Sequence, residues 1–341
     1  MALLTSLHRW LGATIGLILI VMGLSGTALV WESSWIGVPG ADAPAAASAD
    51  GLARSVSVAL SHHTGLSRIT FAGPELGLHQ AAYRDGSGAY IDQSGKIVTA
   101  WSSSCERPEL WIFDLHHHLF AGEFGELFVG TAGLAGIFFV MSGTILWWRT
   151  RKTFAFRLWP KRLTRSAIVR QHRDLGVVLA PLLLIAMITG CAMIFPWLSQ
   201  AIVAPWPDPA ASSGPTENHI ARNDWKAAFI EANRAFPHAE IRRLQIGKGD
   251  RSEAVLRLRQ PFEWTPNGRT YIHITPSGRL RIDAPDGALD KQAIGEKFYP
   301  IHAAKVGGWI WKVGITCAGL GLAMLGALAG FGFWKRGSRP S

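Results

Sequence analysis

Four histidines stand at the same end of four long apolar runs, and they are the residues of this chain best suited to chemistry. His8 opens the first run in His8-Arg9-Trp10-Leu11-Gly12, and His172 opens the third in His172-Arg173-Asp174-Leu175-Gly176. His116 precedes the second run and His302 the fourth. Counted forward from each of these two, Gly122 matches Gly308, Gly133 matches Gly319 and Trp148 matches Trp334. The chain therefore reads as a duplicated helix pair that carries the same imidazole twice. Neutral imidazole is the commonest protein metal ligand and a frequent axial ligand of haem iron, so four of them at repeated depths point to two cofactors.

The elements that must position them follow from the runs. Trp10–Trp31, Leu127–Trp148, Leu175–Leu198 and Val313–Trp334 contain no charged residue and no histidine. Each exceeds the roughly 20 residues needed to cross a hydrocarbon core of about 30 Å, which predicts four transmembrane helices. A cleaved secretory signal is the alternative for the first run, with a candidate cleavage stretch at Ala41–Ala49. That run is longer than a signal core and is reprised internally at Leu175.

Basic residues set the orientation. Arg149, Arg151, Lys152, Arg157, Lys161, Arg162, Arg165, Arg170 and Arg173 crowd the link between the second and third runs, and Lys335, Arg336 and Arg339 follow the fourth. By the positive-inside rule the link and both termini are cytoplasmic. The formal net charge of +10 is then mostly a topology signal that also suits anionic lipid, and no nucleic-acid partner is expected.

Two segments remain for the outer side, and both read as α+β. The first has a helix over Leu52–His62, strands at Arg68–Ala72 and Gln80–Arg84, and a hairpin Ala89–Ala100 turning at Gln93-Ser94-Gly95. The second repeats the order: a helix over Asp224–Phe236, strands at Glu240–Ile246 and Glu253–Gln260, and a hairpin Thr270–Ile282 turning at Pro276-Ser277-Gly278. Pro/Ala/Ser-rich stretches, Pro39–Ala49 and Pro205–Pro215, read as linkers. The fold class expected is an α-helical membrane protein, a four-helix bundle with two α+β domains. Its parts are helix 1 (1–31), outer domain 1 (32–115), helix 2 (116–148), basic link (149–171), helix 3 (172–198), outer domain 2 (199–301), helix 4 (302–334) and a cytoplasmic tail (335–341). Cys105, Cys191 and Cys317 give neither a disulfide framework nor a C-x-x-C-H haem attachment string, so any haem would be held without a thioether link.

His8 and His172 begin helices that start on the inner side, while His116 and His302 precede helices that start outside. Two facing pairs at two depths are what two stacked six-coordinate haem b groups require, with His8 and His172 on the inner iron and His116 and His302 on the outer. Arg9 and Arg173 could pair with haem propionates, or serve only as positive-inside residues. Glycines such as Gly12, Gly16, Gly23, Gly26, Gly130, Gly133, Gly136, Gly319, Gly321 and Gly326 could clear space for a flat ring or only pack helices closely. His117 and His118 adjoin His116. Only one of three consecutive imidazoles can face a given haem, and the repeat selects His116, the other two remaining as solvated surface residues, a contact for a metal-bearing substrate at the outer surface, or alternative ligands.

The strings Leu7-His8-Arg9-Trp10-Leu11-Gly12, Leu115-His116-His117-His118-Leu119-Phe120, His172-Arg173-Asp174-Leu175-Gly176 and Ile301-His302 with Gly307-Gly308 resemble the PepSY-associated transmembrane proteins over nearly the whole chain. The outer segments are similar to PepSY domains, with hairpins such as Tyr90-Ile91-Asp92-Gln93-Ser94-Gly95-Lys96-Ile97. The chain departs from the family at His302-Ala303-Ala304-Lys305, where relatives often carry an aromatic and a glycine after the histidine. The family includes di-haem ferrisiderophore reductases of the bacterial inner membrane. The resemblance thus implies reduction of a ferric siderophore or similar acceptor at the periplasmic face, releasing ferrous iron.

No dinucleotide fingerprint occurs and the link is too short for a flavin or nicotinamide domain, so a membrane quinol or a separate reductase must supply electrons. Arg242, Arg243, Arg257, Arg259 and Trp264 could hold an anionic or aromatic chelate, or be plain surface and strand residues. The rival reading from another class is a non-enzymatic sensor or partner-binding protein of iron or metal homeostasis with structural histidines. A metal-ion permease ranks last, because the apolar runs contain no Asp or Glu.

Overall fold

A computed structural model describes residues 2–46, 48–210, 213–221, 223–249 and 252–334. The expected tail, 335–341, lies outside them. The chain divides into two compact units: Met1–Trp31 with Ile112–Ile202 and Phe298–Ser341, and Glu32–Trp111 with Val203–Lys297. In order the elements begin α1 (Ala2–Val30), α2 (Glu32–Trp35), α3 (Ala49–His62), β1 (Leu66–Thr70), β2 (His79–Tyr83), β3 (Gly88–Ile91) and β4 (Ile97–Trp101). They continue with α4 (Pro108–His118), α5 (Gly122–Trp148), α6 (Arg165–Ile194), α7 (Pro196–Val203), β5 (Ser213–His219), α8 (Trp225–Ala235), β6 (Glu240–Ile246) and β7 (Ala254–Arg259). The last are β8 (Thr270–Ile274), β9 (Arg279–Asp283), α9 (Lys291–Gly295), α10 (Phe298–His302) and α11 (Gly308–Trp334).

In the first unit α1, α5, α6 and α11 are long and apolar enough to cross a membrane. Helix α1 packs on α11 and α5, and α6 packs on the same two, which leaves α1 and α6 facing across the bundle. The α1–α11 contact is close because its ridge is glycine: a Cβ at Gly23 would lie 2.4 Å from the Gly319 carbonyl oxygen, and one at Gly326 would lie 2.7 Å from that of Gly16. Small residues of this kind let membrane helices approach backbone to backbone.

The helices outrun the apolar runs at their N-terminal ends, while α6 stops at Ile194, short of the expected end at Leu198, and Pro196 opens the separate α7. Polar interfacial residues continue α6 back to Arg165, so His172 lies within the helix rather than at its start. For the other two histidines the structure corrects the expected boundaries. His116 lies in the last turn of α4, which ends at His118, and Leu119 (φ 47°), Phe120 (φ 61°) and Gly122 (φ 56°) break the chain before α5. His302 ends α10, and Ala304 (φ 53°), Gly307 (φ 73°) and Gly308 (φ 60°) break it before α11. Left-handed backbone cannot continue a right-handed helix, and it costs side-chain-bearing residues more than glycine.

The second unit contains one antiparallel sheet of order β4-β3-β2-β1-β6-β7-β8-β9-β5. Each segment supplies a helix followed by four strands, as its periodicity predicts. Where the sequence reading gave each segment its own domain, β1 pairs with β6, and Ile69 stands opposite Leu244 at the sheet centre. Both are fully buried, and α3 and α8 cover them with Leu52, Val56 and Ala59 and with Trp225, Ala228, Phe229 and Ala232. Joining the sheets lets both helices share one core, which neither short segment could enclose alone. The hairpins turn where expected, with Gly95 (φ 94°) and Gly278 (φ 84°) in left-handed conformation. Strand β5, pairing with β9, takes up residues that the sequence reading assigned partly to a linker.

Candidate cofactor site: two histidine pairs

The bundle brings the four repeated histidines together two by two. His8 on α1 and His172 on α6 have ring centroids 6.2 Å apart at 80°, and His116 on α4 and His302 on α10 have theirs 6.2 Å apart at 42°. Two imidazoles on opposite sides of one metal atom, with metal–nitrogen bonds of about 2.0 Å, place their centroids roughly 6 Å apart. Both pairs therefore have the spacing of a shared metal.

Hydrogen bonds fix which nitrogen each ring can offer. His172 Nδ1 lies 3.1 Å from the Leu325 carbonyl oxygen and His302 Nδ1 lies 2.8 Å from that of Ala186. A carbonyl only accepts, so both rings carry their proton on Nδ1 and leave Nε2 with a free lone pair. His8 Nδ1 lies 2.8 Å from Ser142 Oγ, and His116 Nδ1 lies 2.9 Å from Ser25 Oγ. Each hydroxyl already donates along its own helix, Ser142 to Phe138 and Ser25 to Val21, so each accepts from the imidazole. All four rings thus present a bare Nε2. Metal-bound histidines are oriented in the same way, by a hydrogen bond from the ring nitrogen that does not bind the metal.

Burial keeps the pair on α4 and α10 neutral. It pushes the His116 imidazole down to about 3, with His302 and His117 adding repulsion, and burial also lowers His302. The neutral form is the one that ligates. His117 stacks on Phe113 at 4.1 Å, and His118 Nδ1 lies 2.9 Å from Asp114 Oδ1. Each neighbour therefore has a partner of its own, and His116 is the member of the triplet beside Ser25.

Along α1 the two levels, His8 and Ser25, are about 25 Å apart at about 1.5 Å per residue. The separation approaches the thickness of a hydrocarbon core, about 30 Å.

Among the described residues two buried donors have no hydrogen-bond partner in this unit: Arg9 Nε, next in sequence to His8, and Trp147 Nε1 on α5. Trp147 packs against Trp148 and Phe154 at the end of α5, where a tryptophan reads as an interfacial anchor. An unspent guanidinium donor next in sequence to His8 fits a porphyrin with acidic side chains. Arg173 is committed elsewhere: Nε bonds Asp174 at 2.7 Å, Nη1 the Thr153 hydroxyl at 2.9 Å, and Nη2 the Thr153 carbonyl at 3.0 Å. Of the two arginines weighed for propionates, Arg9 is the one with an unpaired buried nitrogen.

The glycines separate by what they face. Gly130, Gly133, Gly136 and Gly321 pack against Phe195, Cys191, Met187 and Leu179, as ordinary helix contacts do. Gly26, Gly143 and Gly190 instead face His116, His8 and His302. In the sheet unit Arg242, Arg257 and Arg259 donate to the backbone carbonyls of Ala72 and Pro266, of Gly268, and of Glu263, so they brace loops. Trp264 is 43% exposed under the Lys297 ammonium.

A multi-pass membrane protein with paired imidazoles at two levels is the class that this architecture defines. The chain belongs to the PepSY-associated TM family: the model of the PepSY-associated TM region matches residues 5–336. No curated protein matches it.

Proposed function

We propose that this chain is a di-haem b electron-transfer protein of a bacterial inner membrane that reduces a ferric siderophore, or a similar chelate, on the periplasmic side. The observation that carries the reading is the pair of imidazole couples with bare Nε2 atoms, each spaced for one metal. Haem iron bound there would supply one-electron chemistry between its ferric and ferrous states. His8 and His172 would hold one haem, with Arg9 meeting its acidic groups, and His116 and His302 would hold the other.

Orientation rests on charge. The cations of the 149–164 link favour the cytoplasmic face for the His8–His172 end, so both termini would be cytoplasmic and the sheet unit periplasmic. The absence of any nucleotide-binding fingerprint from the sequence leaves a quinol or a separate reductase as donor. One quinol gives two electrons and two protons and would reduce two ferric ions.

The test is anaerobic mixing of the purified, dithionite-reduced protein with a ferric siderophore in the presence of a ferrous-specific chelator. Reoxidation of the protein, with one trapped ferrous ion per electron lost, is expected. A colourless preparation that takes up no haem would overturn the reading in favour of the non-enzymatic sensor or partner-binding protein. A red protein that siderophore cannot reoxidise would leave the electron carrier and remove the reductase.

A further inference from the structure

The tripeptide Ser-Gly-Thr occurs once in α1, as Ser25-Gly26-Thr27, and once in α5, as Ser142-Gly143-Thr144. Each copy touches a histidine of the other strand of the pair: His8, carried by α1, lies on Ser142 and Gly143, and His116, which leads into α5, lies on Ser25 and Gly26. The roles within the string are distinct. Serine accepts the Nδ1 proton, and glycine leaves room for the ring edge: a Cβ would lie 2.9 Å from His116 Cε1 at Gly26 and 3.4 Å from His8 Cε1 at Gly143.

The other two imidazoles are held differently. His172 and His302 give their Nδ1 protons to backbone carbonyls of α11 and α6, so each couple combines one serine-held ring with one carbonyl-held ring. A carbonyl acceptor cannot be removed by substitution. A serine can.

We infer that Ser25 and Ser142 are positioning residues that seat His116 and His8 and tune the two metal sites independently, a role that rests on the di-haem reading for its redox part only. A hydroxyl that donates to a helix carbonyl becomes a better acceptor, so the seated imidazole gains negative character. That favours the ferric state. Replacing the serine by alanine removes the hydroxyl acceptor, leaving His8 without that partner and His116 with only its backbone contact to Met22, and so weakens the bias.

The experiment compares Ser25→Ala, Ser142→Ala, Ser25→Thr and Ser142→Thr in the full-length protein by redox titration of each haem band. Each alanine variant should raise one midpoint and leave the other. A tenfold loss of ferric preference, the lower end of what losing a hydrogen bond to a metal-bound histidine costs in metal affinity, is about 59 mV for a one-electron couple. The threonine variants keep the hydroxyl and should restore the wild-type value. Loss of one haem only, from the site of the substituted serine, also supports the assignment. Equal shifts of both haems, or no shift, would overturn it.

Histidine-labelled, haem-free protein gives a readout independent of haem. Nitrogen NMR should show Nδ1-protonated rings in the wild type, with one of them altered in each alanine variant and a different one in each. Unchanged rings would overturn the seating role, whereas altered rings in a protein that never takes up haem would refute only the di-haem reading.

Discussion

Gly190→Ala should disable the His302 site through one added methyl group. The new Cβ would stand 2.8 Å from His302 Cε1 and 3.2 Å from its Nδ1, whereas ordinary contact begins near 3.4 Å. The ring rests on α6 between Gly190 and Ala186, so moving it off the methyl lifts it from the helix. Its Nδ1 hydrogen bond to the Ala186 carbonyl, 2.8 Å long, must then lengthen by about 0.6 Å toward the limit of such bonds. Overpacking costs about 1–3 kcal/mol and the lost bond about 1 kcal/mol. A loss of about 2 kcal/mol is about thirtyfold in affinity. The assay is haem per polypeptide by pyridine haemochrome, with reduced-minus-oxidised spectra to tell the sites apart. One haem should remain, that of His8 and His172. Gly314→Ala is the control, since its Cβ meets only Leu182 and Trp311 at 3.7 and 3.8 Å. Two haems with wild-type spectra in Gly190→Ala would refute the reasoning.

Three further outcomes follow from the same geometry. His8→Ala and His172→Ala should each remove the same haem and leave the other, and removal of different haems by the two changes would break the pairing. Gly23→Ala forces a Cβ to 2.4 Å from the Gly319 carbonyl oxygen, where both partners are backbone; it should destabilise the α1–α11 contact by about 1–3 kcal/mol, read as a lower thermal midpoint in detergent that Gly314→Ala does not show. In the sheet unit His79 is buried and its Nδ1 accepts the Ala72 amide at 2.9 Å; burial pushes its pKa down to about 4, partly offset by Asp92. Because the unfolded chain takes up the proton first, near pH 6.5, stability should be full above that value and fall by up to about 3 kcal/mol as pH drops toward 4. His79→Asn keeps an acceptor for Ala72 and should flatten the midpoint-versus-pH curve across that window, and an unchanged slope would exclude His79 as its source.

Much of this was legible in the sequence because it is periodic or repeated. Apolar runs without charge located the spans, alternation located β6 to the residue, and the glycines of the two hairpin turns marked both reversals. Long-range and strained features were not legible. The pairing of β1 with β6 joins residues far apart in the chain, so nothing local distinguishes one shared sheet from two. The breaks after His116 and His302 use Leu119, Phe120 and Ala304 in left-handed backbone, which these residue types do not advertise. The histidine couples were readable because the same residue recurs at matched offsets. Ser25 and Ser142 look like any helix serines, and only the recurrence of Ser-Gly-Thr in two spans could have drawn attention to them. The commitment of Arg173 to Asp174 and Thr153 likewise depends on the folded link.

Haem stoichiometry with the spin state of the iron tests the central claim most directly. The account predicts two haem b per chain, both low-spin with two nitrogen axial ligands by electron paramagnetic resonance, falling to one when either member of a couple is replaced. A purified chain that binds no haem after reconstitution, or that keeps both haems without His116 or His302, would contradict it.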